Sequence, residues 1–120
     1  MITDNPSSNT GLAIVERYET VVAYLYPIVQ RCSRRHGKLR DALLTLIVDQ
    51  VGLFYQAAKS RQASRLYAAD ANLATLRFWL RFAAQPSIKI ITPNQHRAAL
   101  KLLAEVGSML GAWIGKARNG

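Results

Sequence analysis

Residues 92–117 read TPNQHRAALKLLAEVGSMLGAWIGKA, and the first four of them mark a helix start. Thr92 is an N-cap type and Pro93 suits the first helical position. Gln95 stands where a capping box places its returning side chain. Behind that start, Ala99, Leu103, Val106, Leu110 and Trp113 recur at alternating steps of four and three. Such steps hold one face of a helix, so the stretch predicts an amphipathic helix. Arg97, Lys101, Glu105 and Ser108 fall elsewhere around its circumference.

The same period runs through the rest of the chain. Ile14, Tyr18, Val21, Leu25, Ile28 and Cys32 form one stripe of a first helix, which Pro27 should kink or shorten. A second helix follows in LRDALLTLIVDQVGLFYQAAK (39–59), apolar on more than one side. Its start is open: Ser33 could serve as N-cap, or Gly37 could separate the two helices. A third helix spans about residues 60–84, and QPSIKII (85–91) reads as a loop broken by Pro86. Four helices with short connections predict an all-α, up-and-down four-helix bundle over residues 11–120. Residues 1–10 are expected to be a flexible tail.

Composition sets the limits of function. The chain has 120 residues, half of them apolar, enough for one domain with a core. Sixteen Lys and Arg stand against seven Asp and Glu, a formal charge of +9. Even complete ion pairing leaves basic groups over, and those must face water or an external anion, because an unpaired charge is too costly to bury. Such an excess is the footprint of a nucleic-acid or acidic-surface binder. Cys32 has no partner in the chain, which excludes a disulfide framework and fits a reducing cytoplasm. The polar, acidic start MITDNPSSNT is unlike a secretory signal. No uncharged apolar run approaches the roughly 20 residues of a bilayer span, so no membrane association is expected.

The third helix carries an unusual pattern. In LYAADANLATLRFWLRF (66–82), Leu66, Ala69, Leu73, Leu76 and Leu80 form a core stripe. Tyr67, Ala71, Ala74, Phe78, Trp79 and Phe82 form a second apolar face, with Asp70, Arg77 and Arg81 on a thin polar strip between the two. One bundle core needs one stripe. The second face therefore lies against another subunit or a partner protein, unless the neighbouring helices cover it. In the fourth helix, Gly107, Gly111 and Gly115 line one side beside Ala104, Ser108 and Ala112. Each mid-helix glycine costs about 0.8–1 kcal/mol relative to alanine, which makes sense where another backbone packs closely, in the same bundle or the next subunit. Tyr67, Phe78, Trp79, Phe82, Gly107, Gly111 and Trp113 are thus candidate subunit-interface residues of a homo-oligomer.

Charge is concentrated at the bundle ends. RCSRRHGKLR (31–40) holds five Lys or Arg and one His, and Lys89, His96 and Arg97 join it at the same end. Lys59, Arg61, Arg65, Lys116 and Arg118 lie at the other end, where helix-dipole complementation explains Lys59, Lys116 and Arg118. It does not explain 31–40, whose charges repel unless solvated or bound to an anion. Phosphate contacts would be backbone-directed and salt-sensitive. No aromatic residues interleave the loop, and no helix-turn-helix, zinc-finger or RRM pattern appears. Asp49 and Gln50 are polar residues in the apolar second helix and should find hydrogen bonds within or between bundles. No carboxylate pair, phosphate loop or metal-ligand spacing appears, and His36 and His96 stand alone in polar segments. The chain reads as a binder rather than an enzyme, with no cofactor.

Four runs carry a family likeness: IVERYETVVAYLYP (14–27), RRHGKLR (34–40), SRLYAADANLATLRFWLRF (64–82) and the opening stretch at 92–117. With them the chain resembles the accessory variability determinant (Avd) proteins of diversity-generating retroelements. Four-helix bundle proteins encoded by intervening sequences in ribosomal RNA genes share the architecture and are the alternative relatives. The Avd resemblance implies a homopentameric barrel of bundles with a basic surface. It implies association with the element's reverse transcriptase and its template RNA, or the cDNA, in support of mutagenic cDNA synthesis, with no catalytic site in the protein itself. Arg77 and Arg81 match the arginines of the family's RFWLRF segment, and Arg34, Arg35, His36 and Arg40 fall in its basic connection. Together with Arg31, Lys38 and Arg97 they are the candidate polymerase- or nucleic-acid-binding residues.

Overall fold

A computed structural model describes residues 6–119 and shows four helices: α1 (Pro6–Gln30), α2 (Gly37–Ser60), α3 (Ala63–Ala83) and α4 (Pro93–Asn119). Each packs on its sequence neighbours, and α1 closes against α4, while the backbones of the diagonal pairs stand farther apart. The result is an up-and-down four-helix bundle in an elongated body of 50 × 22 × 21 Å. Pro6–Thr10, read from sequence as tail, are helical; residues 1–5 of that reading lie outside the described residues.

The core follows the predicted stripes. Ile14, Tyr18, Val21 and Leu25 of α1 are fully buried, as are Leu73, Leu76 and Leu80 of α3 and Leu103, Val106 and Leu110 of α4. At the end of α1 the phase differs: Val29 is buried where the sequence reading placed Ile28 and Cys32, which are only partly covered. A step of four from Leu25 keeps Val29 over the core. Helix α1 also continues past Pro27 to Gln30.

Buried polar groups find partners between helices, as burial requires. The Tyr18 hydroxyl donates to the Ile47 carbonyl at 2.7 Å, and burial pushes its pKa well above the usual phenol range. Gln50, wholly buried, donates to the Ala69 carbonyl at 2.9 Å and accepts from Asn72 Nδ2 at 2.7 Å. Asn72 Nδ2 also donates to the Leu46 carbonyl at 3.1 Å, so a polar bridge joins α2 to α3. Where α1 meets α2, Gly11 is required by space. A Cβ there would sit 2.6 Å from the Ala58 Cβ and 3.4 Å from the Trp113 ring.

The connections are short. Arg61 takes a left-handed φ of 58° and its N–H donates to the Ala57 carbonyl, so α2 turns into α3 within two residues. At the start of α4 the capping box forms in both directions. The Thr92 N–H donates to Gln95 Oε1 at 2.9 Å, and the Gln95 N–H donates to Thr92 Oγ1 at 3.0 Å. Helix α4 is long and apolar enough to cross a membrane by length and composition once a few charges are admitted. Its apolar stripe is taken up by the bundle core, however, and Arg17 of α1 pairs with Glu105 on its outer side at 3.0 Å.

Candidate nucleic-acid interface

The bundle end formed by the α1–α2 and α3–α4 connections is strongly basic. Past α1, the Ser33 hydroxyl accepts from the Arg35 N–H at 3.2 Å and its carbonyl accepts from the His36 N–H at 3.1 Å. These bonds wind Arg34–His36 into a 3₁₀ turn that leaves Arg34 and Arg35 exposed. Both readings of this segment are modified: Ser33 caps the 3₁₀ turn, and Gly37 is the first residue of α2 rather than a separator. Across the end, the Ala83 carbonyl accepts from the N–H groups of Ile90 and Ile91 at 2.9 and 3.3 Å. Both isoleucines are buried, and Lys89 beside them is exposed, with φ 54°.

Arg31, Arg34, Arg35, Lys38, Arg81 and Arg97 are exposed at this end, and His36 and Arg40 are half-buried. Among the described residues Asp41 is the carboxylate found here, and Arg40 Nε already holds it at 3.2 Å. Helix dipoles account for Arg81, in the last turn of α3, and for Arg31 just past α1, but not for the rest. Lys38 and Arg40 stand in the first turn of α2, where the positive helix end disfavours cations. That same positive end favours an anion. His96 reports the local field: its pKa lies below the usual histidine range through desolvation, then through the charges of Arg81 and Arg97. The Nε2 atoms of His36 and His96 are both buried without a hydrogen-bond partner.

Arg77 is set apart from that cluster. It reaches across α4, where Nη2 donates to the Leu103 carbonyl at 3.4 Å, and a Cβ at Gly107 would run into its guanidinium. Gly107 therefore makes room for Arg77 of its own chain, while Gly111 and Gly115 have nothing over them. Neither Arg77 nor Arg81 pairs with Asp70 in this chain; the ion pairs among the described residues are Arg17–Glu105 and Arg40–Asp41. Arg81 instead lies over the Phe78 ring, 5.5 Å from its centroid.

The second face of α3 is open. Tyr67 and Phe78 are each 49% exposed, so neighbouring helices leave that part of the face uncovered, while Trp79 of the same face is partly buried against the bundle's own core. Phe78, Trp79 and Phe82 meet edge to face, with centroids 5.0 and 5.7 Å apart. Trp113, grouped with the candidate interface from sequence, is 3% exposed and belongs to the bundle's own core.

A family model described as bAvd-like matches residues 12–117, which is nearly the whole of the described chain. The chain belongs to the bAvd-like family. No curated protein matches it. In this bAvd-like chain the match spans the basic connection, the α3 aromatic face and the capped α4 together. Gln50 finds the hydrogen bonds expected of it within the bundle, but sequence reasoning did not name Asn72 as its partner and missed the close approach at Gly11 and the seat of Arg77 on Gly107. A glycine facing an arginine on the adjacent helix was the available signal for the last. It became readable only once α3 and α4 were in register.

Proposed function

We propose that the protein is a non-catalytic accessory subunit of a diversity-generating retroelement, acting in the cytoplasm. Its basic end binds the template RNA, or cDNA, and the reverse transcriptase that copies it. The observation that carries this reading is the basic end itself. Seven exposed cations collect there, Lys38 among them in the first turn of α2 where a cation is disfavoured without an anion, and family membership supports it. The open aromatic face of α3 supports assembly into a homo-oligomer, and the resemblance to Avd proteins makes five copies in a barrel the expected form.

RNA retention on filters across a series of added salt tests the reading. Affinity should fall steeply, with a log–log slope of about −0.7 for each phosphate contacted on a single strand. Arg34→Ala with Arg35→Ala should flatten that slope by roughly one to two contacts. A salt-independent affinity would overturn RNA binding and leave a purely structural bundle of the intervening-sequence type.

A further inference from the structure

The connection between α3 and α4 frames a cavity of about 470 Å³, lined by Ala84, Pro86, Lys89, Ile91, Thr92 and Pro93. That volume lies within the roughly 300–1,000 Å³ of small-molecule sites. Its frame is fixed from within the chain. Ile88 and Lys89 donate their N–H groups to the Gln85 carbonyl, Ile90 and Ile91 to the Ala83 carbonyl, and Thr92 to Gln95 Oε1. Every backbone N–H from Ile88 to Thr92 is thus bonded, and two proline rings stiffen the wall. The cavity is pre-formed, so little ordering cost falls on binding. Its lining is apolar at Ala84, Pro86, Ile91 and Pro93, and no carboxylate belongs to it. Two polar groups stand among these walls. Lys89 is exposed, without an ion pair among the described residues, and its φ of 54° is one that a residue with a side chain rarely adopts. Thr92 Oγ1 accepts from the Gln95 N–H, which leaves its hydroxyl hydrogen free to donate. That same capping box closes the end of α4, so what stands open is the cavity and not the helix terminus.

We propose that this cavity takes one unpaired nucleobase of the bound RNA, with the Lys89 ammonium on the phosphate attached to it. A base is apolar on its two faces and carries its charge on the neighbouring phosphate. Apolar walls with a single cation beside them match that division. Proline and isoleucine supply the faces without any aromatic side chain. A free phosphate would use Lys89 and leave the walls idle, and an apolar side chain of a protein partner would use the walls and leave Lys89 idle. A duplex keeps its bases stacked and paired and can present only its backbone, so the cavity selects single strands. This selection runs against charge. Backbone contact alone favours the duplex, whose salt slope is about −0.9 for each phosphate against about −0.7 for a single strand. The inference deepens the RNA-binding part of the proposed function and rests on it.

Methyl NMR of the whole chain, with adenosine 5′-monophosphate and uridine 5′-monophosphate as probes, tests the cavity directly. Either nucleotide should shift the Ala84 and Ile91 methyl signals saturably through the ring current of its base, and ribose 5-phosphate should not. Equal shifts with ribose 5-phosphate would reduce the site to an anion contact, and no shift with millimolar nucleotide would empty it of meaning; either result overturns the proposal. Lys89→Gly suits the left-handed backbone and should keep the fold while weakening nucleotide binding about threefold, as for an exposed charge pair. An unchanged affinity would take Lys89 out of the site. RNA supplies the second arm. A single-stranded oligonucleotide should bind about fivefold more tightly than a duplex with the same number of phosphates, a difference at the lower end of base stacking. Ala84→Leu, which fills the cavity, should remove that preference and keep the salt dependence. A preference that survives the filling would overturn the cavity as its cause. The two readings separate in the same experiments. Salt-sensitive RNA retention without methyl shifts removes the cavity and keeps the proposed function, whereas methyl shifts without RNA retention remove the function and leave a site for free nucleotides.

Discussion

The inner stripe of α3, from Leu66 to Leu80, and the outer stripe, from Tyr67 to Phe82, run side by side along one helix with similar spacing. The inner one is buried to the last atom at Leu73, Leu76 and Leu80. The outer one leaves Tyr67 and Phe78 half in water. Periodicity alone assigns both stripes to an interior. What separates them is the number of helices available: α2 and α4 flank α3, α1 lies diagonally opposite, and the described residues supply no fourth neighbour. An apolar face in excess of what one bundle can cover is thus a statement about assembly.

The sharpest way to break that contrast is to truncate one residue on each stripe. Leu73→Ala should cost about 2–5 kcal/mol of folding stability, since a cavity opens where nothing can collapse into it. Phe78→Ala should cost about 1 kcal/mol, the worth of an edge-on ring contact and a cation–π contact at a half-exposed site. Urea unfolding at low protein concentration measures both. Equal losses would mean that the outer stripe also carries the fold of the single chain.

The outer side of α3 also carries charge that an inner face could not, and a smaller effect follows from it. Arg81 is one of the causes that hold His96 below the ordinary histidine pKa. Because the folded value is depressed, the unfolded chain binds the proton more readily. Stability should therefore fall as pH drops below about 6.5, through the window between the unfolded and folded values. In an NMR titration, Arg81→Gln should move the His96 midpoint upward but not restore it, because desolvation is the larger cause. An unmoved midpoint would place Arg81 too far away to matter.

The four helices, the capping box at Thr92 and the core stripes of α3 and α4 were legible because each depends on residues within a few turns of one another. The candidate basic end was legible for the same reason: 31–40 is dense in charge wherever it lies. Contacts between distant segments were not. Gln50 was expected to find hydrogen bonds, but that its partner Asn72 is supplied by α3 could not be read, because register between helices has no local signal. Trp113 continued the α4 stripe and is core, although it was also grouped with the candidate subunit-interface residues. The turn at Arg61 escaped notice because a left-handed residue there is an arginine, where glycine or asparagine is the usual sign.

Gly107 separates packing from propensity most closely, and its expected effect is the smallest. The glycine row of α4 suggested a neighbouring backbone, but at Gly107 the neighbour is the Arg77 guanidinium. Gly107→Ala gains about 0.8–1 kcal/mol of helix propensity. It also displaces Arg77 from the Leu103 carbonyl, a bond whose 3.4 Å length puts it at the weak end of a range of about 0.5–1.5 kcal/mol. The atom in the way is the end of a flexible side chain, so the guanidinium can swing out at little strain. The two contributions nearly cancel, and the variant should unfold within about 0.5 kcal/mol of the parent. Gly111→Ala has the gain without the loss, because nothing lies over Gly111, and should be stabilising by most of the propensity difference. A large loss at Gly107 would show that Arg77 is held more firmly than its single carbonyl bond implies, and a loss at Gly111 that appears only in the assembled protein would put a second copy's backbone there.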